Sequence, residues 1–219
     1  MNKTPYKIDL HTHSIISYDG GLTEKDYSNL LANNILDFIA ITDHNEINFA
    51  VYLQRKLGGK IIIGEEIKTL EGEIIGLFLK EKVAPKLSIK ETMKRIHSQN
   101  GLVYIPHAFE VQRESISYNT FLENKNEIDI IEVFNARSFG RKKTHQTKEI
   151  AEKLKISQAA SSDAHCYIGI ASSFTLIYNS PTKDNLRIVL KNAQRQEKYA
   201  SPYSYLCPFI NKIKHKLHV

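Results

Sequence analysis

Histidine and acidic residues occur in short clusters along this sequence, and each cluster directly follows a short apolar segment. The clusters are Asp9-Leu10-His11-Thr12-His13, Asp43-His44, Gly64-Glu65-Glu66, Pro106-His107 and Ser162-Asp163-Ala164-His165. Imidazole and carboxylate groups without thiolates are typical ligands of Zn, Mn or Fe, and they argue against Ca or Mg as the sole metal. These residue types therefore predict a transition-metal site.

The spacing within two clusters favours shared ligation. Residues two apart in an extended chain point the same way, so His11 and His13 can bind one ion together. Asp163 and His165 have the same spacing. Adjacent residues point apart, so at 43–44 we predict that the histidine binds metal and that Asp43 orients an imidazole. Taken alone, each cluster could equally consist of ordinary turn or surface residues.

Further acidic residues fit the same interpretation. One of Glu65 and Glu66 can bridge two metal ions, and the other would then face solvent or a lysine. Glu132 lies among Ile, Val and Phe, where an unpaired charge is costly to bury. We predict that it orients a ligand histidine and that Asn135 hydrogen-bonds the substrate. The ligands outnumber one tetrahedral site, so two or three divalent ions are expected.

Short apolar segments alternate with longer segments of helical periodicity, and this order indicates an α/β fold. The candidate strands are 6–10, 36–41, 60–63, 102–105, 129–134, 156–160 and 173–178. Their near-continuous hydrophobicity is typical of strands buried on both faces of a parallel sheet. Seven strands favour a closed or distorted barrel over an open sheet, and the carboxyl ends of barrel strands would bring the clusters to one face.

One segment breaks this alternation. Residues 65–79 contain two apolar runs around a Glu-Gly pair and predict a hairpin inserted after the third strand. A last helix is expected from Pro181 to about Gln196. We therefore divide the chain into a barrel domain at 1–199 and a basic C-terminal extension at 200–219, which we expect to run irregularly over the surface.

The composition is that of an ordinary globular protein. The chain has 219 residues, of which 42% are hydrophobic and 25% charged, and these values exclude disordered and fibrous classes. No segment reaches the roughly 18 apolar residues that a membrane helix needs, and the first residues lack the apolar core of a secretory signal. Cys166 and Cys207 are therefore expected to be reduced thiols in a cytoplasmic protein, with Cys166 a small core residue rather than a ligand.

The net charge of +6 lies in the last helix and the tail. Residues 181–219 carry eight Lys and Arg side chains against two acidic ones, whereas the rest of the chain is balanced. Such a segment could contact nucleic acid, an anionic membrane surface or an acidic substrate. The alternative is a solvated end of the chain, because most charged runs only face water.

Taken in order, the motifs resemble the PHP (polymerase and histidinol phosphatase) family in its compact, stand-alone form. The likeness runs from about residue 6 to residue 178 and includes Ile41-Thr42-Asp43-His44, Gly64-Glu65-Glu66 and Glu132-Val133-Phe134-Asn135. It implies a distorted seven-stranded (β/α)7 TIM-like barrel, up to three metal ions and the hydrolysis of phosphate esters. The ligands that it implies are His11, His13, His44, Glu66, His107, Asp163 and His165.

Two candidate ligand positions are among those that depart from the family pattern. The family often has an aspartate seven residues after the first histidine of His-x-His, where this chain has Tyr18, and Asp19 follows one residue later. Glu73 occupies a hairpin position at which many relatives have a histidine. Asp19 and Glu73 are therefore further candidate ligands, for a third ion.

We expect hydrolysis by a hydroxide that bridges two ions and attacks phosphorus. Asp43, His44 and His165 are the catalytic candidates, while Arg113 and Arg137 would hold the phosphate through paired hydrogen bonds. The expected substrate is a small phosphorylated metabolite or a nucleotide. Two alternatives stay open: a nuclease that acts on short nucleic acid ends with help from the basic tail, and a non-catalytic metal-holding module.

Overall fold

The computed structural model describes residues 4–110, 112–138 and 141–217, with the side chains of 141–143 outside the description. The predicted domain and tail therefore include residues 1–3 and 218–219, which lie outside the described residues. The strands are β1 (Tyr6–Asp9), β2 (Phe38–Ile41), β3 (Ile61–Lys68), β4 (Glu73–Leu77), β5 (Leu102–Ile105), β6 (Ile130–Asn135), β7 (Ser157–Ser161), β8 (Phe174–Ile177) and β9 (Gln194–Gln196). The α-helices are α1 (Glu24–Ala32), α2 (Asn48–Leu57), α3 (Ile89–Ser98), α4 (Tyr118–Asn124), α5 (Arg141–Leu154), α6 (Leu186–Lys191) and α7 (Cys207–Leu217).

The nine strands of the described residues form one mixed sheet in the order β7-β6-β5-β4-β3-β2-β1-β8-β9. Neighbours from β1 to β3 and from β5 to β7 are parallel, whereas β4, β8 and β9 pair antiparallel. The sheet thus has nine strands instead of the predicted seven. The hairpin supplies β4 as a full member between β3 and β5, and the segment expected to end the last helix forms β9.

A side chain joins β7, at one end of the sheet, to β8, the strand next to the other end. The hydroxyl of Thr175 on β8 accepts a hydrogen bond from the backbone N–H of Ala160 on β7 at 2.9 Å and donates one to the carbonyl of the same residue at 3.1 Å. Between β7 and β8, these two hydrogen bonds stand in place of a regular ladder of backbone hydrogen bonds. The α/β fold therefore has a nearly closed, barrel-shaped sheet.

Apolar side chains pack on both faces of the sheet. One buried cluster takes residues from every strand from β1 to β8, and α6 adds Leu186 and Leu190 to it. A second cluster joins the strand residues Ile39, Ile41 and Ile61 to α1 and α2, and a third joins the middle strands to the helices α3 to α5. Burial on both faces explains why the strand sequences lack a polar alternation.

Local capping explains where two of the outer helices begin. The Thr23 hydroxyl accepts from the Asp26 N–H at 3.3 Å, and the Asp26 carboxylate accepts from the Thr23 N–H at 2.8 Å, which is a capping box before α1. At α3, the Ser88 hydroxyl accepts from the Glu91 N–H at 3.2 Å. These bonds satisfy N–H groups that the first helical turn leaves unpaired.

The C-terminal segment differs from its prediction. The helix expected to run to Gln196 ends at Lys191, because residues 194–196 pair with the open edge of β8. The extension is not irregular: Pro202–Leu206 form a 3-10 helix and Cys207–Leu217 form α7. None of the helices in the described parts of the chain combines the length and hydrophobicity needed to cross a lipid bilayer.

The cysteines also differ from their prediction. Cys166 and Cys207 form a disulfide, with Cα atoms 6.0 Å apart. The prediction of reduced thiols, with Cys166 a small core residue, is therefore wrong, because α7 returns over the barrel and brings the second cysteine to the first. The predicted cytoplasmic location consequently loses the support that it took from reduced thiols.

Candidate metal centre

The predicted ligands gather at the carboxyl ends of the parallel strands. His11 and His13 follow β1, His44 follows β2 and His107 follows β5, while Glu66 lies on the long strand β3. Isolated parallel bridges, from residue 12 to residue 164 and from residue 44 to residue 66, continue the strand pairing beyond the regular ladders. This local pairing brings clusters that are distant in sequence to one end of the barrel.

Four overlapping groups of side chains have the geometry to hold an ion. The groups are His11, His13 and Asp163; His11, Glu66 and His107; His44, Glu66 and Glu73; and His13, Asp19, His44 and His165, and within each group the ligand atoms lie within 4.8 Å of one another. Together they contain all nine residues that the sequence predicts as ligands. Because neighbouring groups share residues, the arrangement suits adjacent ions rather than one isolated ion.

Glu66 lies at the centre of the imidazoles. Its Oε2 is 3.4 Å from His11 Nε2, 3.2 Å from His13 Nε2 and 3.4 Å from His44 Nδ1. Its Oε1 is 3.0 Å from His107 Nε2. One carboxylate therefore faces four imidazoles from three different strands and has the position of a bridging ligand.

Asp163 occupies the other side of the same histidines. Its Oδ1 lies 3.6 Å from His11 Nε2 and 3.4 Å from His13 Nε2, and also 3.4 Å from His165 Nδ1. Arg113 forms an ion pair with its Oδ2, and Arg137 Nη1 lies 3.4 Å from Oδ1. The two predicted phosphate-binding arginines thus sit directly beside a candidate ligand.

Asp19 and Glu73, the further candidate ligands for a third ion, also reach the cluster. Asp19 Oδ1 lies 3.6 Å from His44 Nε2, and its Oδ2 lies 3.4 Å from His165 Nε2. Glu73 Oε1 lies 3.4 Å from His44 Nδ1. Each carboxylate therefore stands where it could ligate, although their role as ligands stays a prediction.

Burial and charge together set the protonation of the cluster. Desolvation and the neighbouring cations His13 and Arg137 lower the pKa of His165 to about 3, so its imidazole is neutral. Desolvation would lower the pKa of His13 as well, but its contacts with Asp163 and Glu66 raise that pKa to about 9. Desolvation opposes the ionisation of both carboxyls, yet the surrounding cations hold the pKa of Glu66 and of Asp163 well below the usual range.

Divalent cations fit this donor set. The ionised carboxylates of Glu66 and Asp163 converge on His11 and His13, whose Nε2 atoms lie only 3.1 Å apart. The Nδ1 of His13 is buried and has no hydrogen-bond partner among the described residues. Buried anions require positive charge between them, and metal ions would supply that charge while binding the nitrogen lone pairs of the imidazoles.

Glu132 holds the ligands from behind, as the sequence predicts. Its Oε1 lies 3.2 Å from His11 Nδ1 and accepts from the Tyr104 hydroxyl at 2.9 Å. Its Oε2 accepts from the backbone N–H of His107 at 2.6 Å and from the Asn135 amide at 2.9 Å. A carboxylate behind a ligand imidazole fixes the orientation of the ring.

Asp43 has a different partner from the one predicted. Its carboxylate accepts from the Ser14 N–H at 2.6 Å and from the Ser14 hydroxyl at 2.5 Å, instead of orienting an imidazole. The residue therefore fixes the loop that follows His13. Asp9, a residue that sequence reasoning did not single out, acts similarly, because its Oδ1 accepts from the Ser162 N–H at 3.1 Å.

Glu65 points away from the cluster because alternate residues of a strand face opposite ways. It is fully buried, and its Oε2 accepts from the Val83 N–H at 2.8 Å. The expectation that the second carboxylate faces solvent or a lysine is therefore wrong, since the chain around Val83 covers that face of β3.

Two candidate ligands have a left-handed backbone. His107 has φ 31° and Asp163 has φ 51°, a region that non-glycine residues rarely occupy. Such conformations persist where the surroundings impose them, and they concentrate at functional sites. Here the hydrogen bond from the His107 N–H to Glu132 holds one of them in place.

An open cavity of about 350 Å³ gives access to the cluster. Its lining combines the candidate ligands Asp19, His44, Glu66, Glu73, His107 and His165 with Tyr18, Gln112, Arg113, Glu114, Arg137, Pro208 and Lys212. Sequence reasoning did not single out Gln112, Glu114, Pro208 or Lys212. For Lys212 the basic charge of the tail was a signal, but it does not indicate which lysine returns to the site.

Solved structures share this fold. A two-domain protein of Bacteroides vulgatus, described as containing a predicted PHP-like metal-dependent phosphoesterase, superposes with a TM-score of 0.71 at 18% identity over 96% of this chain and 70% of that one. The lesion-specific endonuclease EndoQ of Pyrococcus furiosus superposes with a TM-score of 0.61 at 14% identity over 88% of this chain and 58% of that one. The chain therefore has the fold of the PHP-like metal-dependent phosphoesterases, which confirms the resemblance seen in its motifs.

Sequence comparison identifies relatives in Methanocaldococcus jannaschii. The chain is 36% identical to the uncharacterized protein MJ1587 over 143 residues, which are 59% of this chain and 82% of that protein. It is 37% identical to the uncharacterized protein MJ0417 over 170 residues, which are 73% of this chain but 65% of that protein. The chain belongs to the same family as MJ1587. No protein-family profile matches it.

Proposed function

We propose that this protein hydrolyses phosphate esters with the help of divalent metal ions. The observation that carries the proposal is the convergence of nine candidate ligands in one cluster, six of which line an open cavity together with two arginines. The fold shared with PHP-like phosphoesterases supports it. Because fold alone does not define a reaction, the site is the stronger support.

The chain offers ligands for two or three ions, and Zn, Mn or Fe suits the donor set. His11, His13 and Asp163 form the buried part of the cluster, and the cavity is lined by the other six candidate ligands, Asp19, His44, Glu66, Glu73, His107 and His165. When bound, such ions supply Lewis-acid stabilisation of phosphoryl oxygens and an activated water.

Arg113 and Arg137 are suited to bind the phosphoryl group. Desolvation opposes the charge of Arg113, but Asp163 raises the pKa of that guanidinium above its usual value, so it stays charged. Asn135 Oδ1 accepts from Arg113 Nη1 at 3.2 Å and from the Arg137 N–H at 2.8 Å. Asn135 is itself buried, and we assign it the positioning of both arginines, whose fork of donors matches phosphate oxygens.

The catalytic candidates differ in their access to a substrate. His44 and His165 line the cavity, whereas the Asp43 carboxylate is buried behind Ser14. We therefore assign the two histidines to the reacting end of the cluster and Asp43 to its support. A cavity of about 350 Å³ lies at the small end of the range for ligand sites, which favours a small phosphorylated metabolite or a nucleotide.

The experiment is metal analysis of the purified protein together with a panel of phosphomonoesters, cyclic nucleotides and short oligonucleotides. We expect two or three equivalents of metal and turnover of at least one ester. Asp163→Asn should lose both metal and turnover, because it removes a charge that faces three histidines. Full metal content without hydrolysis of any ester would instead favour the non-catalytic metal-holding module.

A nuclease is the second candidate function. The similarity in fold to an endonuclease and the basic segment from residue 181 favour it. Oligonucleotide binding should then weaken steeply as salt rises, because phosphate contacts release counterions. Neutralising the lysines of this segment should flatten that salt dependence. Salt-independent turnover of mononucleotides would contradict a nuclease.

A further inference from the structure

The C-terminal helix α7 is attached to the backbone of two candidate ligands. The amide of Asn211 donates to the carbonyl oxygen of Asp19 at 3.0 Å and to that of His165 at 2.9 Å. The disulfide joins Cys207, the first residue of α7, to Cys166, which directly follows His165. Two independent attachments therefore hold this helix at the rim of the metal centre.

These attachments bring Lys212 to the mouth of the cavity. Its Nζ lies 3.9 Å from Asp19 Oδ2 and 5.0 Å from the centre of the Tyr18 ring. The separation from Asp19 is too long for a hydrogen bond, and the ammonium group of Lys212 makes no hydrogen bond to the described part of the chain. This ammonium group consequently keeps its donors for a ligand.

Lys212 lies beside a different carboxylate of the cluster from the arginines. Arg113 and Arg137 contact Asp163, whereas Lys212 lies beside Asp19. The side chain of Lys212 is 46% exposed, so it reaches the cavity from solvent. A phosphate ester in the cavity would therefore meet cationic groups from the barrel and from α7.

We propose that Lys212 is a substrate-binding residue that contacts the phosphoryl oxygens of the ester, and that Asn211 and the disulfide position it. The inference rests on the proposed phosphoesterase function and extends it to the C-terminal segment. A lysine is suited to this role because its compact ammonium group carries three donors on a flexible stem. The basic tail then serves the active site directly as well as carrying charge.

The first test compares Lys212→Ala with Lys216→Ala in the metal-loaded protein. Lys216 is a matched control because it is an exposed lysine of the same helix and lies outside the cavity lining. For Lys212→Ala we expect KM for p-nitrophenyl phosphate to rise by about tenfold or more, the scale of a charge-assisted hydrogen bond, while kcat changes little. The dissociation constant of inorganic phosphate, measured by calorimetry, should rise by a similar factor.

The outcomes of this test distinguish a failure of the role of Lys212 from a failure of the proposed phosphoesterase function. If the wild-type protein neither binds phosphate nor hydrolyses any ester, the proposed function fails. If the wild-type protein does both and Lys212→Ala matches Lys216→Ala, the role of Lys212 is overturned. Metal content is measured in every variant, since a loss of metal in Lys212→Ala would assign the effect to the cluster and would also count against direct binding.

The positioning role has its own test. Cys207→Ser should raise the phosphate dissociation constant in the wild-type background but not in the Lys212→Ala background, because the disulfide acts through that lysine. An equal effect in both backgrounds would overturn the positioning role. Should Cys207→Ser fail to fold, Asn211→Ala in the same two backgrounds gives the same comparison.

Discussion

Glu66 and Glu65 show how two identical neighbours acquire opposite roles. Glu66 faces four imidazoles, whereas Glu65 faces away and accepts one hydrogen bond, from Val83. Both are almost completely buried. The alternation of side chains along β3 alone separates them, so the pair offers an internal control for tests of the metal centre.

Glu66→Gln should abolish metal binding and turnover. The substitution preserves the shape of the side chain but removes the negative charge that ligates and neutralises neighbouring cations, and we expect activity to fall by at least about a hundredfold. Metal analysis and kinetics would measure both losses. Glu65→Gln, the same change one residue earlier, should retain metal and activity, and a comparable loss in the two variants would contradict the assignment of Glu66.

Glu65 should make stability depend on pH. Burial raises the pKa of Glu65 to about 7, above its value in the unfolded chain, so the folded state binds the proton more tightly. Stability from this group is therefore present at low pH and is lost as the pH rises through about 7. Between pH 5 and pH 8, the free energy of unfolding of wild type should fall relative to Glu65→Gln by about 2 kcal/mol.

Chemical denaturation of both proteins at the two pH values checks this expectation. Titrations that the two proteins share cancel in the difference, including those of the metal ligands. A difference that stays constant from pH 5 to pH 8 would show that Glu65 is already ionised in the folded protein.

At the scale of elements, short loops decide which side chains join the centre. The loop between β1 and α1 carries Asp19, and it is held by two hydrogen bonds from Ser14 to Asp43. It folds back so closely that a Cβ on Gly20 would lie 2.0 Å from the Ser14 carbonyl oxygen. Glycine at this position therefore allows the loop to place Asp19 at the cluster.

Gly20→Ala should move this loop and weaken the site. The backbone contact leaves no room for a methyl group, so we expect a loss of stability of about 1–3 kcal/mol and a lower affinity for the ion next to Asp19. Thermal denaturation and metal titration measure the two effects. Gly59→Ala is the control, because a Cβ there meets nothing within 4 Å, and equal effects of the two changes would refute the steric explanation.

The whole molecule is a barrel whose strands converge on the centre and whose last helix returns to it. The candidate ligands extend from His11 to His165, so an ion bound among them would join both halves of the described chain. The disulfide and Asn211 then attach α7 to the same place. Metal binding and folding should consequently be coupled.

Removal of metal should lower the melting temperature by several degrees or more, because an ion that binds only the folded protein stabilises it by mass action. Dialysis against a chelator followed by calorimetry would show the shift, and added Zn or Mn should reverse it. In the His11→Ala variant, removal of metal should change the melting temperature much less, since His11 belongs to two of the four candidate ligand groups. An identical melting temperature with and without metal would contradict the coupling.

Much of the fold and site followed from local patterns and from the family resemblance that they carry. Six of the seven predicted strands match their predicted bounds to within about two residues, and the third, predicted at 60–63, continues to Lys68. The nine predicted ligands lie together. The places of β4 and β9 in the sheet could not be predicted from local patterns, because they depend on which strand edges the rest of the fold leaves unpaired. The partner of Asp43 depends on how the loop after His13 folds, and no spacing encodes that contact.

The amino-acid sequence predicts which residues end the strands, since burial and strand ends leave local signals in hydrophobicity and residue type. It does not predict that Cys207 meets Cys166 or that Lys212 reaches the cavity, which are contacts of the folded chain. Those contacts join segments separated by many residues, and they depend on the packing of the whole chain rather than on any local pattern. The candidate metal ligands could therefore be predicted from the sequence, whereas the contacts of α7 at the mouth of the cavity could not.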